Sequence, residues 1–274
     1  MDYSNIIITG EKIQQLADIY IGLDEDLNFN PLIRSQPNKH LNLYNINESY
    51  NNPRYIFCYT HRLSILSTKI NLFMNDFILI THNSDTEIKY NSDIINILNC
   101  KKLLKWYCQN LCIDYNKLHL VPIGIANSQW NHGNIDIFLN ISFEQKTKKI
   151  YFNFNIRTNI NKRNQCYNLL KDKLIWLNNI HPVDNLKRLK EYEFCVCPEG
   201  NGCDTHRLWE AIYFKTVPIV INSEFTKILQ KYNIPLVILE SWNDLDIDKL
   251  NYNDYNFDNI LISNFSYLAN LIQN

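Results

Sequence analysis

The stretch CPEGNGCDTHRLWEA, Cys197 to Ala211, gathers two carboxylates and a guanidinium around a glycine loop. The run Phe194-Cys195-Val196-Cys197 is apolar, as a strand buried on both faces should be, and Pro198 ends it. Gly200 and Gly202 allow positive φ or a close approach to the backbone. Asp204 suits the N-cap of a helix that starts at Thr205. Unpaired amides and the dipole at such a helix start favour an anion. Arg207, in the first turn, would add a charged hydrogen bond of about 1.5–3 kcal/mol. Asn201 and His206 supply further donors. Glu210 lies one turn beyond Arg207 on the same face and suits the paired hydroxyls of a ribose or sugar. Glu199, at the strand's carboxyl end, suits another hydroxyl. One ligand class uses all of these groups: a nucleotide diphosphate sugar, anionic in the middle and hydroxyl-rich at its ends. The same spacing also fits a plain Arg207–Glu210 pair on a surface helix, worth about 0.3–0.5 kcal/mol. The loop is neither a P-loop nor a G-x-G-x-x-G fingerprint.

Elements on both sides must position this loop. Arg54–Thr60 reads as a buried strand, His61–Phe73 as a helix, and Asp76–Asp85 as a strand ending in a polar loop. Asn99–Ile113 reads as a helix and Leu118–Ser128 as a strand running into a Gly/Asn loop. Such alternation predicts parallel βαβ units and an α/β class. A helix is expected at Glu11–Ile19, with loops on to about residue 52. The polar, turn-rich run from Asn131 to Lys149 predicts a boundary, giving domains 1–140 and 141–274. Beyond it the pattern is again strand and helix: a strand at Lys148–Asn159, a helix near Lys162–Lys173, a short helix near Asp184–Lys190, a strand at Tyr192–Gly200, a helix at Asp204–Lys215, a strand at Thr216–Ile221, a helix at Ser223–Tyr232 and a strand at Pro235–Leu239.

The segment Tyr192–Ile221, YEFCVCPEGNGCDTHRLWEAIYFKTVPIVI, resembles the donor-site signature of exostosin-type glycosyltransferases. That signature has Pro, a Gly-rich turn, Arg, a Glu-Ala pair, a small turn residue and an apolar strand opening on Pro. It is more loosely similar to the donor motif of α-1,3-fucosyltransferases. The resemblance covers about 30 residues. It implies a GT-B-like fold, two Rossmann-like domains facing a cleft, with the nucleotide sugar on the C-terminal one. It further implies donor binding by Glu199, Arg207 and Glu210, a glycan or glycoconjugate acceptor, and inversion at the anomeric carbon. Lys215 stands where the family carries a small residue.

Other residues join this reading. Arg157, Lys162 and Arg163 could clamp a diphosphate. Related families place a basic residue after the first C-terminal strand, which favours Arg157, though it fits a solvated loop equally well, whereas Lys162 and Arg163 read rather as a solvated basic loop. An inverting transfer needs a base for the acceptor hydroxyl. Asp85 and His82, past the carboxyl end of a first-half strand, are best placed for it. Asn83, Ser84 and Asp85 would equally cap the next helix, and Glu48 and Glu87 are further candidates for the base. Gly124, Asn127 and His132 lie at the expected junction and would line the cleft floor or serve as a connector. Asp24-x-Asp26 invites a metal, but too little chain precedes it for a nucleotide-binding domain, so an acidic surface turn is expected there. Asp244–Asp248 is read the same way. No catalytic metal is expected. The UDP- or GDP-linked sugar would be a co-substrate rather than a cofactor.

The whole chain can bury a substantial core. Its 274 residues are 46% hydrophobic, and the net charge of −1 gives no reason to expect nucleic acid as a partner. No leader peptide and no membrane span are expected, and the composition reads as cytoplasmic. The eight cysteines form two close groups, Cys108/Cys112 and Cys195/Cys197/Cys203. Neither has zinc-ligand spacing with partner histidines, so reduced, mostly buried thiols are expected. Oligomeric state is not readable. A non-catalytic nucleotide-sugar or carbohydrate-binding relative in a larger assembly is the alternative to an enzyme.

Overall fold

The computed structural model describes residues 5–29, 31–48, 50–139, 145–178, 180–258 and 260–274. Ten strands form two fully parallel sheets. The first holds β1 (Ile19–Gly22), β2 (His40–Asn42), β3 (Tyr55–Tyr59), β4 (Phe77–His82), β5 (Leu103–Cys108) and β6 (Leu118–Leu120), in the order β2-β1-β3-β4-β5-β6. The second holds β7 (Lys148–Tyr151), β8 (Tyr192–Val196), β9 (Val217–Ile221) and β10 (Val237–Leu239), in the order β10-β9-β8-β7. The α/β class expected from the sequence is what forms. The domain boundary expected between residues 140 and 141 falls outside the described residues.

The central strands explain themselves. Every residue of β4 is buried, as it must be when helices cover both faces of a parallel sheet. Along β8 the side chains divide by pleat: Phe194 and Val196 join one apolar cluster, Cys195 and Cys197 the other. That second cluster is continuous with the core of the first sheet, so the halves share Ile8, Leu120, Trp209 and Phe225 in one interior. The last helix, Phe265–Gln273, returns to the first half. Its Leu271 carbonyl accepts from Tyr107 Oη at 2.8 Å, and the Phe265 amide donates to Ile6 O at 2.8 Å.

Two sequence expectations are corrected. The segment expected as a helix over Asn99–Ile113 contains β5, and its helix is the preceding Ser92–Asn99. Lys and Leu spacing there mimics a helical stripe, but pairing with β4 and β6 buries Trp106, Tyr107 and Cys108 on a central strand. The expected helix over Glu11–Ile19 is short, Gly10–Gln15, and β1 begins at Ile19.

Asp26 is the second kind of correction. Asp24 is exposed, as expected of a surface turn, but Asp26 is buried. Its carboxylate accepts from the Leu23 amide at 2.7 Å and pairs with Arg62 at 2.8 Å. Burial opposes its charge; His61, Arg62 and the Leu23 amide together hold its pKa far below the usual carboxylate value. This is a structural ion pair.

Backbone strain marks two positions on the way to the site. Gly124 has φ 66°, and a Cβ there would sit 2.2 Å from Ile8 O. Lys215 has φ 53°, in the turn between the helix His206–Tyr213 and β9. Lys215 thus occupies a left-handed position under strain. Gly124→Ala is expected to lose about 2–4 kcal/mol in urea unfolding. Lys215→Gly is expected to stay within about 1 kcal/mol of the parent or exceed it.

Candidate functional site

The carboxyl ends of both sheets meet at one cleft of about 1140 Å³. β7 delivers Asn153 to Thr158, β8 delivers the glycine loop, and β4 delivers Asp85. Ligands bind at such strand ends in open α/β sheets. The second sheet keeps sequence order without a reversal, so the crevice arises between two sheets rather than at a switch point within one.

The helix after the loop begins at His206, with Thr205 as an N-cap that makes no side-chain capping bond. Asp204 is therefore not the cap expected from the sequence. Its carboxylate accepts from the Ile123 amide at 2.7 Å and from Trp209 Nε1 at 2.6 Å. Its own amide donates to Asn110 Oδ1 at 2.9 Å. Asp204 thus fixes the loop against the first half. Burial pushes its pKa up to about 7, against the lowering by Trp209, Ile123 and Thr205.

The glycines act through close approach rather than positive φ; among the described glycines only Gly124 has that geometry. A Cβ on Gly202 would lie 2.7 Å from Asn110 Oδ1 and 3.0 Å from Asp85 O. Gly200 O accepts from Asn159 Nδ2 at 2.6 Å. Asn110 and Asn83 both hold left-handed backbones, at φ 53° and 56°, in the loops that carry the cleft's first-half wall.

Arg207 lines the cleft, largely buried, and so does Glu210. Arg207 Nε donates to Glu210 Oε2 at 3.0 Å, Nη1 donates to Asn153 O at 2.8 Å, and the guanidinium lies over Tyr151. The pair is real, but it forms at the cleft wall and not on a surface helix. Arg163 lies beside it, 8% exposed, and donates only to carbonyls: Glu199 O at 2.9 Å and Asn155 O at 2.8 Å. It makes no ion pair among the described residues. Burial, then the neighbouring charge of Arg207, pushes its pKa down to about 10. The sequence reading of Arg163 as a solvated residue is corrected. Arg157 is exposed on the cleft in the turn after β7, and Asn201, Thr205 and His206 also line the cleft. His206 Nδ1 lies 2.9 Å from Gly124 O. Glu199 is not brought into the cleft lining; its carboxylate pairs with Lys162.

In the first half Asp85, which the glycine loop approaches, is exposed and borders two spaces, the large cleft and an adjoining pocket of about 240 Å³. His82 is fully buried. Its Nε2 lies 3.0 Å from Pro122 O and its Nδ1 3.1 Å from Asn83 Oδ1. Burial pushes its pKa down to about 4, so it is neutral and committed to the loop. Asn127 and His206 line the smaller pocket, and His132 the larger. Glu48 borders neither, and Glu87 pairs with Lys89. Asn83 to Asp85 do not cap the next helix, whose N-cap is Asn91.

The sequence did not single out the aromatic wall of the cleft. Phe154, Tyr167 and Trp176 all border it, with Trp176 5.1 Å from Phe154 and 5.0 Å from Tyr167 between ring centroids. Only their convergence in space distinguishes them from ordinary core aromatics. Among the described residues no helix is long and apolar enough to cross a membrane. No family model matches the chain, and a search of curated proteins finds no relative.

Asp204 carries a testable consequence. Its raised pKa means its stabilising contribution is complete below the unfolded value of 3.8 and is lost as pH rises through about 7. Urea unfolding from pH 4 to 8 should show wild-type stability falling relative to Asp204→Asn over that window. Parallel curves would remove the buried carboxylate from the explanation.

Proposed function

We propose that the chain is a glycosyltransferase of the GT-B kind that takes a nucleotide-diphosphate sugar in the cleft and passes the sugar to a hydroxyl acceptor. One observation carries this reading. Two guanidiniums, the buried Arg163 and the largely buried Arg207, border the cleft beside each other, and among the described residues only one carboxylate, Glu210, pairs with either of them. Buried charges are normally matched. A diphosphate supplies the missing negative charge, and the uncapped start of the helix at His206 and the exposed Arg157 add donors. Phe154, Tyr167 and Trp176 suit a nucleobase face. The exostosin-like motif over Tyr192–Ile221 supports the same donor class.

In the proposed step the acceptor oxygen attacks the anomeric carbon while the carbon–oxygen bond to the diphosphate breaks. Asp85 takes the acceptor proton, and the electron pair leaves with the nucleotide diphosphate. The cationic corner stabilises the charge that grows on that leaving group, which is the electrostatic work a divalent ion does elsewhere. Inversion follows from attack on the face of the anomeric carbon away from the leaving group, with Asp85 as the base. His82 is assigned to hold the Asn83–Asp85 loop rather than to take a proton.

Calorimetric titration with UDP and GDP, together with turnover of their sugars, tests this. Arg157→Ala, at an exposed position, is expected to weaken diphosphate binding about 10- to 100-fold. Asp85→Asn should keep nucleotide affinity and lower sugar transfer or donor hydrolysis about 10²- to 10⁴-fold. Absence of nucleotide-diphosphate affinity would overturn the reading. Binding without any turnover would make the chain a non-catalytic binding relative.

A further inference from the structure

Behind the cleft, the two cysteine groups of the sequence each give up one member to a shared contact. Cys112 Sγ and Cys203 Sγ lie 3.3 Å apart. The Glu87 carboxylate completes the cluster, with all three ligand atoms within 4.8 Å of one another. Three separate loops supply them. Glu87 follows β4, Cys112 follows β5, and Cys203 stands in the glycine loop after β8. A bridge between Ile88 and Leu111, with the Cys112 amide donating to Ile88 O at 3.0 Å, fixes Glu87 and Cys112 side by side. Asn110 Oδ1, 3.5 Å from Cys203 Sγ, fixes the third.

We propose that Glu87, Cys112 and Cys203 form a binding site for one thiophilic divalent cation of the zinc type, which staples the Asp85 loop to the glycine loop. Cysteine sulfur and carboxylate oxygen are both zinc ligand types, and three protein ligands leave a fourth position for water. The distances favour this over a disulfide. Two zinc–sulfur bonds of about 2.3 Å at a tetrahedral angle separate the sulfurs by about 3.8 Å. The observed 3.3 Å therefore needs only a small opening. A disulfide would need closure to about 2.05 Å between loops of different halves, and an oxidant. Charge also balances. Two thiolates and a carboxylate carry three negative charges; the cation supplies two positive ones, and Lys89, paired with Glu87, the third.

The two sulfurs lie within hydrogen-bonding distance of each other, and that contact, then burial, pushes the Cys203 thiol pKa up. Cation binding must displace protons from both thiols. Of the neighbouring charges, Lys89 favours that loss, and Glu87 and Asp204 oppose it until the cation arrives. The site stands outside the cleft lining, so the cation is structural and takes no part in the transfer step.

Titration of the reduced, metal-stripped full chain with Cd²⁺ and with Co²⁺ tests the proposal. The expected result is a sulfur-to-metal charge-transfer band that saturates at one equivalent. It should tighten as pH rises, by up to about 100-fold per unit for two protons released. Cys112→Ser/Cys203→Ser should lose the band, with folding checked by circular dichroism. Glu87→Gln keeps both thiols and should bind at least about 10-fold more weakly. Zn²⁺ should raise the melting temperature of the wild type and not of the double variant. A band that survives in the double variant, no band at one equivalent, or affinity unchanged in Glu87→Gln would each overturn the site.

Discussion

The buried carboxylate of Asp204 is the constraint on which the cleft depends. One oxygen holds the Ile123 amide of the first half, the other holds Trp209 of the second, and the backbone between them is tied to Asn110. A carboxylate at 3% exposure is costly unless its hydrogen bonds are made. The Trp209 bond is local to the second half, but the Ile123 bond is made only when both halves are in place. The same bonds therefore set where the helix start at His206 and the guanidinium of Arg207 come to rest relative to Asp85.

From that node the rest of the site follows as a set of approaches that only certain residues permit. Gly202 lets the loop touch Asn110 and Asp85, and Gly124 lets the connecting strand pass Ile8. Asn83 and Asn110 accept left-handed backbones that most residues resist. These close contacts lie on the side of the loop that faces the first half. The opposite side is left to the cleft, where positive charge exceeds negative at the Arg163–Arg207 corner. A packed protein rarely tolerates such an excess without a use, and perturbed buried charge in a crevice is a recurring mark of a binding site.

Sequence alone revealed much of this and missed the rest for physical reasons. The apolar run of β8 and the Gly–Pro punctuation around it were readable because local composition dictates them. Arg207 and Glu210 were readable because helical spacing puts them on one face. Asp204 is not a cap because its carboxylate is taken by Ile123, a partner set by the packing of two halves, and by Trp209 in the helix that follows. β5 was misread as a helix because Lys and Leu fit either period, and only its neighbours β4 and β6 decide. Glu199 looked like a ligand and became the partner of Lys162. Arg163 looked solvated, yet the fold buries it. The pairing of Cys112 with Cys203 crosses 91 positions and leaves no local signature.

A crystal structure of the chain with UDP or GDP bound tests the central claim most directly. The reading requires the diphosphate oxygens to lie within hydrogen-bonding distance of the Arg207 or Arg163 guanidinium and the first amides of the helix at His206, with the base against Trp176 or Tyr167. A nucleotide seated elsewhere, or a cleft in which those guanidiniums stay closed off from an added diphosphate, would contradict it.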